Sequence, residues 1–487
     1  MHGDVSRTSP VGSDQEYTRR RFLKTAAWGA AAISAAGIAE GCAKGGEEQG
    51  TAGEAKKNAQ GDHQGVGGTS VSEARAPIML SSNPLYDGFG QRGLFHAYYG
   101  GADFGEVTTT AGRIGDSTSA DDFYREWVAT ADRVAKIGDQ SAAAGHPVSA
   151  REAYLRASNY YRTSYLPLYG KPVDPRLVEA FERETDSFQK AAPLLSPPVE
   201  KLEIPFEGGS LPAYFVKVDN SRRPRPTILQ TNGYDSTIQE MYFAHAPAAI
   251  RRGYNFLCFD GPGQGRNLIR DGIPIRPDWE NVVRPVVDFA LKRPEIDPKR
   301  LVLVGWSFGG YLAPRAASGE HRIAALVADP GEWDQRDTWV AALPISEEEK
   351  KRYPDLSPET LRSLEESLRG PEASPFLSWA LLQRGLWVNG VDTLHEYFVS
   401  TVDYELSTVA DRISCPTLLT LAEEDFIASF APKLYEALEV PEKRLVRFTG
   451  AEGAGDHTEA SGRALYHQRV FDWLDEVLEV SSRQHGS

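Results

Sequence analysis

Gly305-Trp306-Ser307-Phe308-Gly309 sets a serine between two glycines. A serine hydroxyl is a weak nucleophile at neutral pH and attacks a carbonyl carbon only when a base takes its proton. Ser307 follows the apolar run Leu301-Val302-Leu303-Val304 and precedes Gly310-Tyr311-Leu312-Ala313. Strand, sharp turn and helix start therefore come in the order that presents a nucleophile at the end of a strand. The turn also aims the Phe308 N–H at the place where an oxyanion would form. An ordinary glycine-rich turn has the same pattern, so the rest of the chain must supply an acid and a base.

Both residue types follow. Ile413 to Leu421 reads as a buried strand with a proline near its start, and it runs into Ala422-Glu423-Glu424-Asp425. A short turn after that strand aims Asp425, rather than Glu423 or Glu424, back toward the sheet edge. The next strand, Arg444 to Phe448, leads to Gly450-Ala451-Glu452-Gly453-Ala454-Gly455-Asp456-His457, just before an amphipathic helix from Ala464 to Val480. A histidine titrates near neutrality and suits a general base. Such proton transfer is worth roughly 10² to 10⁴ in rate. Asp425 is expected to hold the imidazole of His457 in the right tautomer. A second oxyanion donor belongs in the loop after strand Pro226 to Gln230, where Asn232-Gly233-Tyr234-Asp235 follows. The Tyr234 N–H is the first choice for it and Asp235 the second.

Another strand, Tyr254 to Phe259, ends in Asp260-Gly261-Pro262-Gly263-Gln264-Gly265. The glycines suggest a phosphate loop, but neither the G-x-x-x-x-G-K-[ST] nor the G-x-G-x-x-G spacing is present. No Cys/His cluster has metal-ligand spacing, and no cofactor is expected.

Asp260–Gly265, Gly305–Gly310 and Glu452–His457, with Ser, Asp and His in that order, resemble one α/β-hydrolase group. It includes the fermentation–respiration switch protein family, 2,6-dihydroxypseudooxynicotine hydrolase and the fungal hydrolases that shorten polyketides. Ala150-Arg-Glu-Ala-Tyr-Leu-Arg-Ala-Ser-Asn-Tyr-Tyr-Arg162 is similar to that group's N-terminal helical domain. The resemblance covers roughly residues 120–480. It implies an α/β-hydrolase fold, a mostly parallel sheet flanked by helices with a helical domain and a helical cap insertion. It also implies Ser307, Asp425 and His457 as a triad. Some relatives cleave a carbon–carbon bond beside a ketone with an additional acid. Asp329-Pro-Gly-Glu332-Trp-Asp334 borders the site but does not match that acid, so the bond cleaved stays open. Asp235, Glu332, Tyr160 and Tyr161 are carried as candidate pocket residues, the tyrosines because the helical domain covers the pocket in relatives.

The elements that must position these groups divide the chain. Residues 77–197 read as helical, with apolar residues at helical spacing over Asp121–Ile137, Ser149–Tyr165 and Asp174–Ala192. Ser149 is the expected N-cap of the second, with Glu152 completing a capping box. The hydrolase core takes residues 198–335 and 411–482. A helical insertion at 336–410 carries Trp339, Trp379 and Trp387. Cys258 and Cys415 lie on separate core strands and are expected as buried thiols.

Residues 1–43 read as an export signal. Thr18-Arg19-Arg20-Arg21-Phe22-Leu23-Lys24 precedes a weakly apolar run, similar to a twin-arginine signal. Ile38-Ala39-Glu40-Gly41-Cys42 partly resembles a lipobox. The two outcomes are lipidation at Cys42 and release by cleavage around Ala43. Residues 44–76 are rich in Gly, Glu, Gln and Ser, a tether by composition. A net charge of −15 argues against nucleic acid as a partner. The expected partners are a small-molecule substrate and the export machinery. Membrane contact is expected only through the signal or a lipid, and a homo-oligomer is left open. The reading is an exported serine hydrolase acting on an ester or activated ketone. Its rivals are a carbon–carbon hydrolase, a peptidase of prolyl-oligopeptidase type, a cofactor-free oxygenase and a silent binding lipoprotein. The peptidase is disfavoured because a short helical region, not a β-propeller, precedes the core.

Overall fold

The computed structural model describes residues 79–480. The twin-arginine segment, Cys42 and the 44–76 tether lie outside the described residues.

Helices Pro84–Phe95, Phe104–Ile114, Ala120–Ala143, Pro147–Ser164 and Pro175–Ala191 precede the first strand. Helix Pro147–Ser164 is the axis of this part, buried at nearly every position from Ala153 to Ser164 and packed on Ala120–Ala143 and Pro175–Ala191. The expected cap at Ser149 is corrected: the helix starts one turn earlier, at Pro147, with His146 in the cap position. Proline presets the helical φ and lacks the N–H that a first helical residue would leave unpaired. Side chains do cap the neighbouring helices, Ser119 accepting from the Asp122 N–H and Asp174 from the Arg176 N–H.

Eight strands follow: β1 (Glu200–Phe206), β2 (Gly209–Val216), β3 (Arg225–Thr231), β4 (Asn255–Phe259), β5 (Ile296–Trp306), β6 (Ala325–Asp329), β7 (Thr417–Ala422) and β8 (Lys443–Phe448). They form one sheet in the order β1-β2-β4-β3-β5-β6-β7-β8. β1 and β2 run antiparallel at one edge, and β4 through β8 and β3 are parallel to one another. Both faces of the central strands are covered, which is why they read as unbroken apolar runs. Ile228, Val302 and Val327 face helices Ile238–Arg251 and Arg463–Val477. Leu229, Leu303 and Leu326 face Glu280–Ala290 and Gly309–Ala317. β7 begins at Thr417, four residues later than expected; Pro416 has no N–H to give a ladder. Cys258 and Cys415 are buried free thiols.

Between β6 and β7 the chain leaves the sheet as a helical insertion with its own core around Trp339, Tyr353, Leu364, Tyr397 and Phe398. Trp379 and Trp387 leave that core and pack on the N-terminal helices instead. The Trp379 ring lies 5.0 Å from Phe89 and the Trp387 ring 5.1 Å from Tyr169. The Trp379 indole N–H donates to the Leu166 carbonyl at 3.0 Å. The two helical parts are thus packed as one body.

Candidate active site

Ser307 sits between β5 and helix Gly309–Ala317 with φ at +57°, a left-handed conformation rare for a side-chain-bearing residue. Two hydrogen bonds hold it: the Ser307 N–H donates to the Asp329 carbonyl at 2.6 Å, and its carbonyl accepts from the Gly310 N–H at 2.7 Å. Glycine is required around it. A Cβ on Gly305 would lie 1.9 Å from the Gly309 carbonyl oxygen, and one on Gly310 would lie 1.8 Å from that of Pro330.

The loops after β7 and β8 bring the acid and the base to this serine. The His457 Nε2 lies 2.8 Å from the Ser307 Oγ, and its Nδ1 lies 2.8 Å from the Asp425 Oδ2. A carboxylate can only accept, so Nδ1 carries the proton, and Nε2 is left to accept from the Ser307 hydroxyl. The other Asp425 oxygen accepts from the Ile427 N–H at 3.1 Å, and Asp425 is buried. Glu423 turns elsewhere and accepts from the Gly450 N–H at 3.0 Å. Burial pulls the His457 pKa down, but the charge and hydrogen bond of Asp425 outweigh it and hold the imidazole above its ordinary value.

The His457 loop is strained. Thr458 and Glu459 take φ of 58° and 48°. Such conformations persist only where the surroundings over-determine them. Arg463 does this, donating to the Thr458 carbonyl at 2.7 Å and to the Asp329 carboxylate at 3.3 Å while lying over Trp306 and Tyr466. Asp329 therefore ties both turns together, through its carbonyl to Ser307 and its carboxylate to Arg463. The sequence reading missed Arg463 and Glu459. Both look like residues of an exposed helix start, while Asp329, which acts on both, lies at the end of β6.

Two backbone N–H groups near Ser307 are left unused by the turns. Among the described residues, neither Phe308 nor Tyr234 gives its N–H to an acceptor in the turn and cap hydrogen bonds. The Asn232–Tyr234 backbone passes directly over Ser307: a Cβ on Gly233 would lie 3.1 Å from the Ser307 Oγ. The glycine-rich loop after β4 holds it there. The Gln264 amide donates to the carbonyls of Asn232 at 2.8 Å and Gly233 at 3.1 Å. The Gly233 carbonyl and the Tyr234 N–H belong to one planar peptide group, so fixing the first orients the second. The Tyr234 ring meets Phe308 edge-on at 5.3 Å, and its hydroxyl accepts from the Asn389 amide of the insertion.

The structure places the four candidate pocket residues differently. Tyr160 and Tyr161 are corrected: both lie inside the helical part. The Tyr160 hydroxyl donates to Glu106 at 2.7 Å and the Tyr161 hydroxyl to Asp132 at 2.5 Å, so neither is turned to Ser307. Helix Pro147–Ser164 is buried on nearly every side, and spacing alone does not say which side faces the site. Asp235 is also corrected. It is not open to a ligand, because its carboxylate accepts from Arg92 at 2.7 Å and Arg384 at 2.7 Å. Glu332 lies beside Asp425, buried, with one oxygen bonded to the Gln335 amide at 2.7 Å and the other without a partner. Burial and the nearby Asp425 charge push its pKa well up.

Similarity to known proteins agrees with this architecture. Residues 232–467 match the model of the Alpha/beta hydrolase family, and residues 119–331 match that of Esterase FrsA-like. Hydrolase acrC of Aspergillus aculeatus is 34% identical over 420 residues, 80% of this chain and 95% of its own length. The chain belongs to the alpha/beta hydrolase family. This hydrolase is also similar to 20-hydroxy-prefusarin hydrolase FUS2 of Gibberella moniliformis, 34% identical over 78% of this chain and 93% of the relative. Its fold is shared with the crystal structure of 2,6-dihydroxy-pseudo-oxynicotine hydrolase, at a TM-score of 0.62 and 24% identity over 79% of this chain and 95% of that one.

The Asp425–His457 bond makes a prediction of its own. Because Asp425 raises the imidazole, His457 should titrate above an ordinary histidine in NMR spectra of Ser307→Ala, and Asp425→Asn should move that titration to lower pH. An unmoved His457 in Asp425→Asn would mean that the pair is not formed in solution.

Proposed function

We propose that this hydrolase is a serine hydrolase acting by acyl transfer on an ester or activated ketone of a small organic molecule. The supporting observation is the unbroken chain from Asp425 through His457 to Ser307, with both links at 2.8 Å. Ser307 Oγ attacks the carbonyl carbon while its proton passes to His457 Nε2. The tetrahedral oxyanion lies against the Phe308 and Tyr234 N–H groups, where each donor contributes about 3–4 kcal/mol. Collapse expels the leaving group, which takes the proton from His457. Water then gives a proton to the same nitrogen, attacks the acyl carbon and frees Ser307. Positive charge on the imidazole is stabilised by Asp425 throughout.

A fluorophosphonate probe and intact mass of the mature protein test this. One adduct is expected, absent from Ser307→Ala, with turnover of a reactive ester falling about 10⁶-fold in that variant. A folded protein that takes no adduct would overturn the reading. The substrate panel should hold acyl esters, peptides, β-diketones and 20-hydroxy-prefusarin, the last because a relative is named for it.

Glu332 supports carbon–carbon cleavage as a second reading. A carboxyl group whose pKa burial pushes well up, with an unpartnered oxygen beside Asp425, offers a carbanionic leaving group a proton source beyond His457, which an alcohol leaving group does not require. Under this reading Glu332→Gln loses β-diketone cleavage by at least about 10²-fold and keeps ester hydrolysis. Equal loss on both substrates would remove the reason for it.

We further propose that residues 1–43 export the folded chain through the twin-arginine route. In a bacterial host the protein should be found outside the cytoplasm, and replacement of Arg19 and Arg20 by lysine should retain it inside. Radiolabelled fatty acid on Cys42, lost in Cys42→Ser, would mark a lipid anchor, and its absence a released product. An unchanged cytoplasmic location in all variants would sink the export reading.

A further inference from the structure

Asp235 directly follows Tyr234, whose peptide group continues from the Gly233 backbone packed against Ser307. Its side chain and backbone are gripped by groups from three separate parts of the chain. Oδ1 accepts from Arg92 Nη1 at 2.7 Å, and Oδ2 accepts from Arg384 Nη1 at 2.7 Å. Its carbonyl accepts from Arg162 Nη2 at 2.6 Å. Arg92 and Arg162 come from the N-terminal helices, and both are also held by Glu240, at 2.6 Å and 3.0 Å. Arg384 comes from the insertion, where the chain widens into a π-helix over Trp379–Gly385. Such widenings are frequent at functional positions. Among the described ion pairs its partner is Asp235 alone. The guanidinium is sandwiched, 4.7 Å from the Trp379 ring centre and 5.1 Å from that of Tyr234. Arg384 therefore touches two successive residues of the oxyanion loop, one through its charge and one through its π-face. Asn389, one turn further along the insertion, holds the Tyr234 hydroxyl.

The loop is thus secured from two sides. Gln264 of the sheet core fixes its first half. Its second half, from the Tyr234 ring onward, has the insertion and the N-terminal helices as its frame. We propose that Arg384 is a positioning residue that completes the oxyanion hole from the cap insertion, acting through Asp235 and Tyr234, so that the catalytic core reaches full competence only with its cap in place. This rests on the serine-hydrolase reading of the same site. It also sets what Arg384 does for specificity. A substrate that displaces the insertion loosens the Tyr234 N–H and reacts slowly even when it binds. Substrates accommodated under a closed cap are favoured through kcat rather than KM.

The charge balance makes the test workable. Removing Arg384 leaves the Asp235 carboxylate paired with Arg92, so Arg384→Ala is expected to fold, with circular dichroism and thermal unfolding as the check. Wild type is first labelled with the fluorophosphonate. If it takes no adduct, the serine-hydrolase reading itself has failed, and this inference falls with it. If it does, Arg384→Ala is expected to lower kcat on a good ester about 10²-fold, the scale of a displaced catalytic group, with KM within about threefold. Affinity for a trifluoromethyl ketone, which reports the oxyanion site, should fall by the same factor as kcat. Millimolar ethylguanidinium should restore part of kcat by refilling the slot between the two rings. A merely structural role would move thermal stability without this parallel loss or the rescue. The inference is overturned if wild type labels and Arg384→Ala keeps kcat, or if only KM rises. The second pattern makes Arg384 a substrate contact. Asp235→Asn supplies an independent arm: the double variant with Arg384→Ala should be no slower than the slower single variant, because both act through one contact. Additive losses would also overturn it.

Discussion

The buried carboxylate of Asp235 is the constraint on which the rest of this architecture depends. A charge cannot stay in the interior unless it is paired and hydrogen-bonded. Once Asp235 is buried at the end of the β3 loop, guanidinium groups must be brought to it from other elements. They come from helix Pro84–Phe95, helix Pro147–Ser164 and the insertion between β6 and β7. Glu240 on the helix after β3 then offsets two of the three arginines. The Arg92, Arg162 and Arg384 charges overcome the burial that would otherwise raise Asp235 and hold its carboxyl well below the usual range. Removing Asp235 itself would be costly, on the scale of about 3–5 kcal/mol, because Arg384 would lose its partner among the described ion pairs. Two helical additions and the sheet are thereby tied at one residue, next to the backbone packed against the nucleophile.

Strain is placed where the side chains must converge. Ser307, Thr458 and Glu459 all sit at positive φ, and each lies at a loop beyond the carboxyl end of a strand. The common restraint is the end of β6. Its last residue, Asp329, accepts from the Ser307 N–H through the backbone and from Arg463 and Thr420 through the carboxylate. Serine and histidine are 150 positions apart in the chain, yet their loops hang from one aspartate. That shared point keeps the Oγ–Nε2 separation from depending on two independent loops.

Legibility followed the range of the interactions. Ser307, Asp425 and His457 could be read because each lies in a short segment whose glycines and flanking apolar runs demand a particular turn. The parallel strands could be read because burial on both faces leaves uninterrupted apolar stretches. The arginine network could not, since Arg92 and Asp235 are 143 positions apart and Arg384 and Asp235 are 149 apart. A charged residue in a helical pattern looks solvated until its partner is known. Asp235 itself was misread for that reason, as a pocket group rather than an anchor. Tyr160 and Tyr161 failed on a different point: helical period identifies a buried face, but helix Pro147–Ser164 has almost no exposed one. Ser149 failed because a local cap motif competed with a proline two residues before it.

The carboxyl groups around His457 show how the surroundings keep one proton acceptor in charge of the imidazole. Asp425 has two buried acidic neighbours, Glu332 and Glu459. Burial pushes both well above the usual carboxylate range, helped at Glu332 by the charge of Asp425 and at Glu459 first by Asp329 and then by Asp425. Were either ionised, its field would add to that of Asp425 and raise the imidazole further, leaving less free base at neutral pH. Burial favours the protonated form of both, which carries bulk and hydrogen-bonding capacity with less charge. The imidazole consequently answers chiefly to Asp425, with Asp329 a lesser contribution and Arg92 opposing. A base tuned mainly by one neighbour has its proton affinity set by a single contact, which suits a group that must accept and return a proton in each cycle.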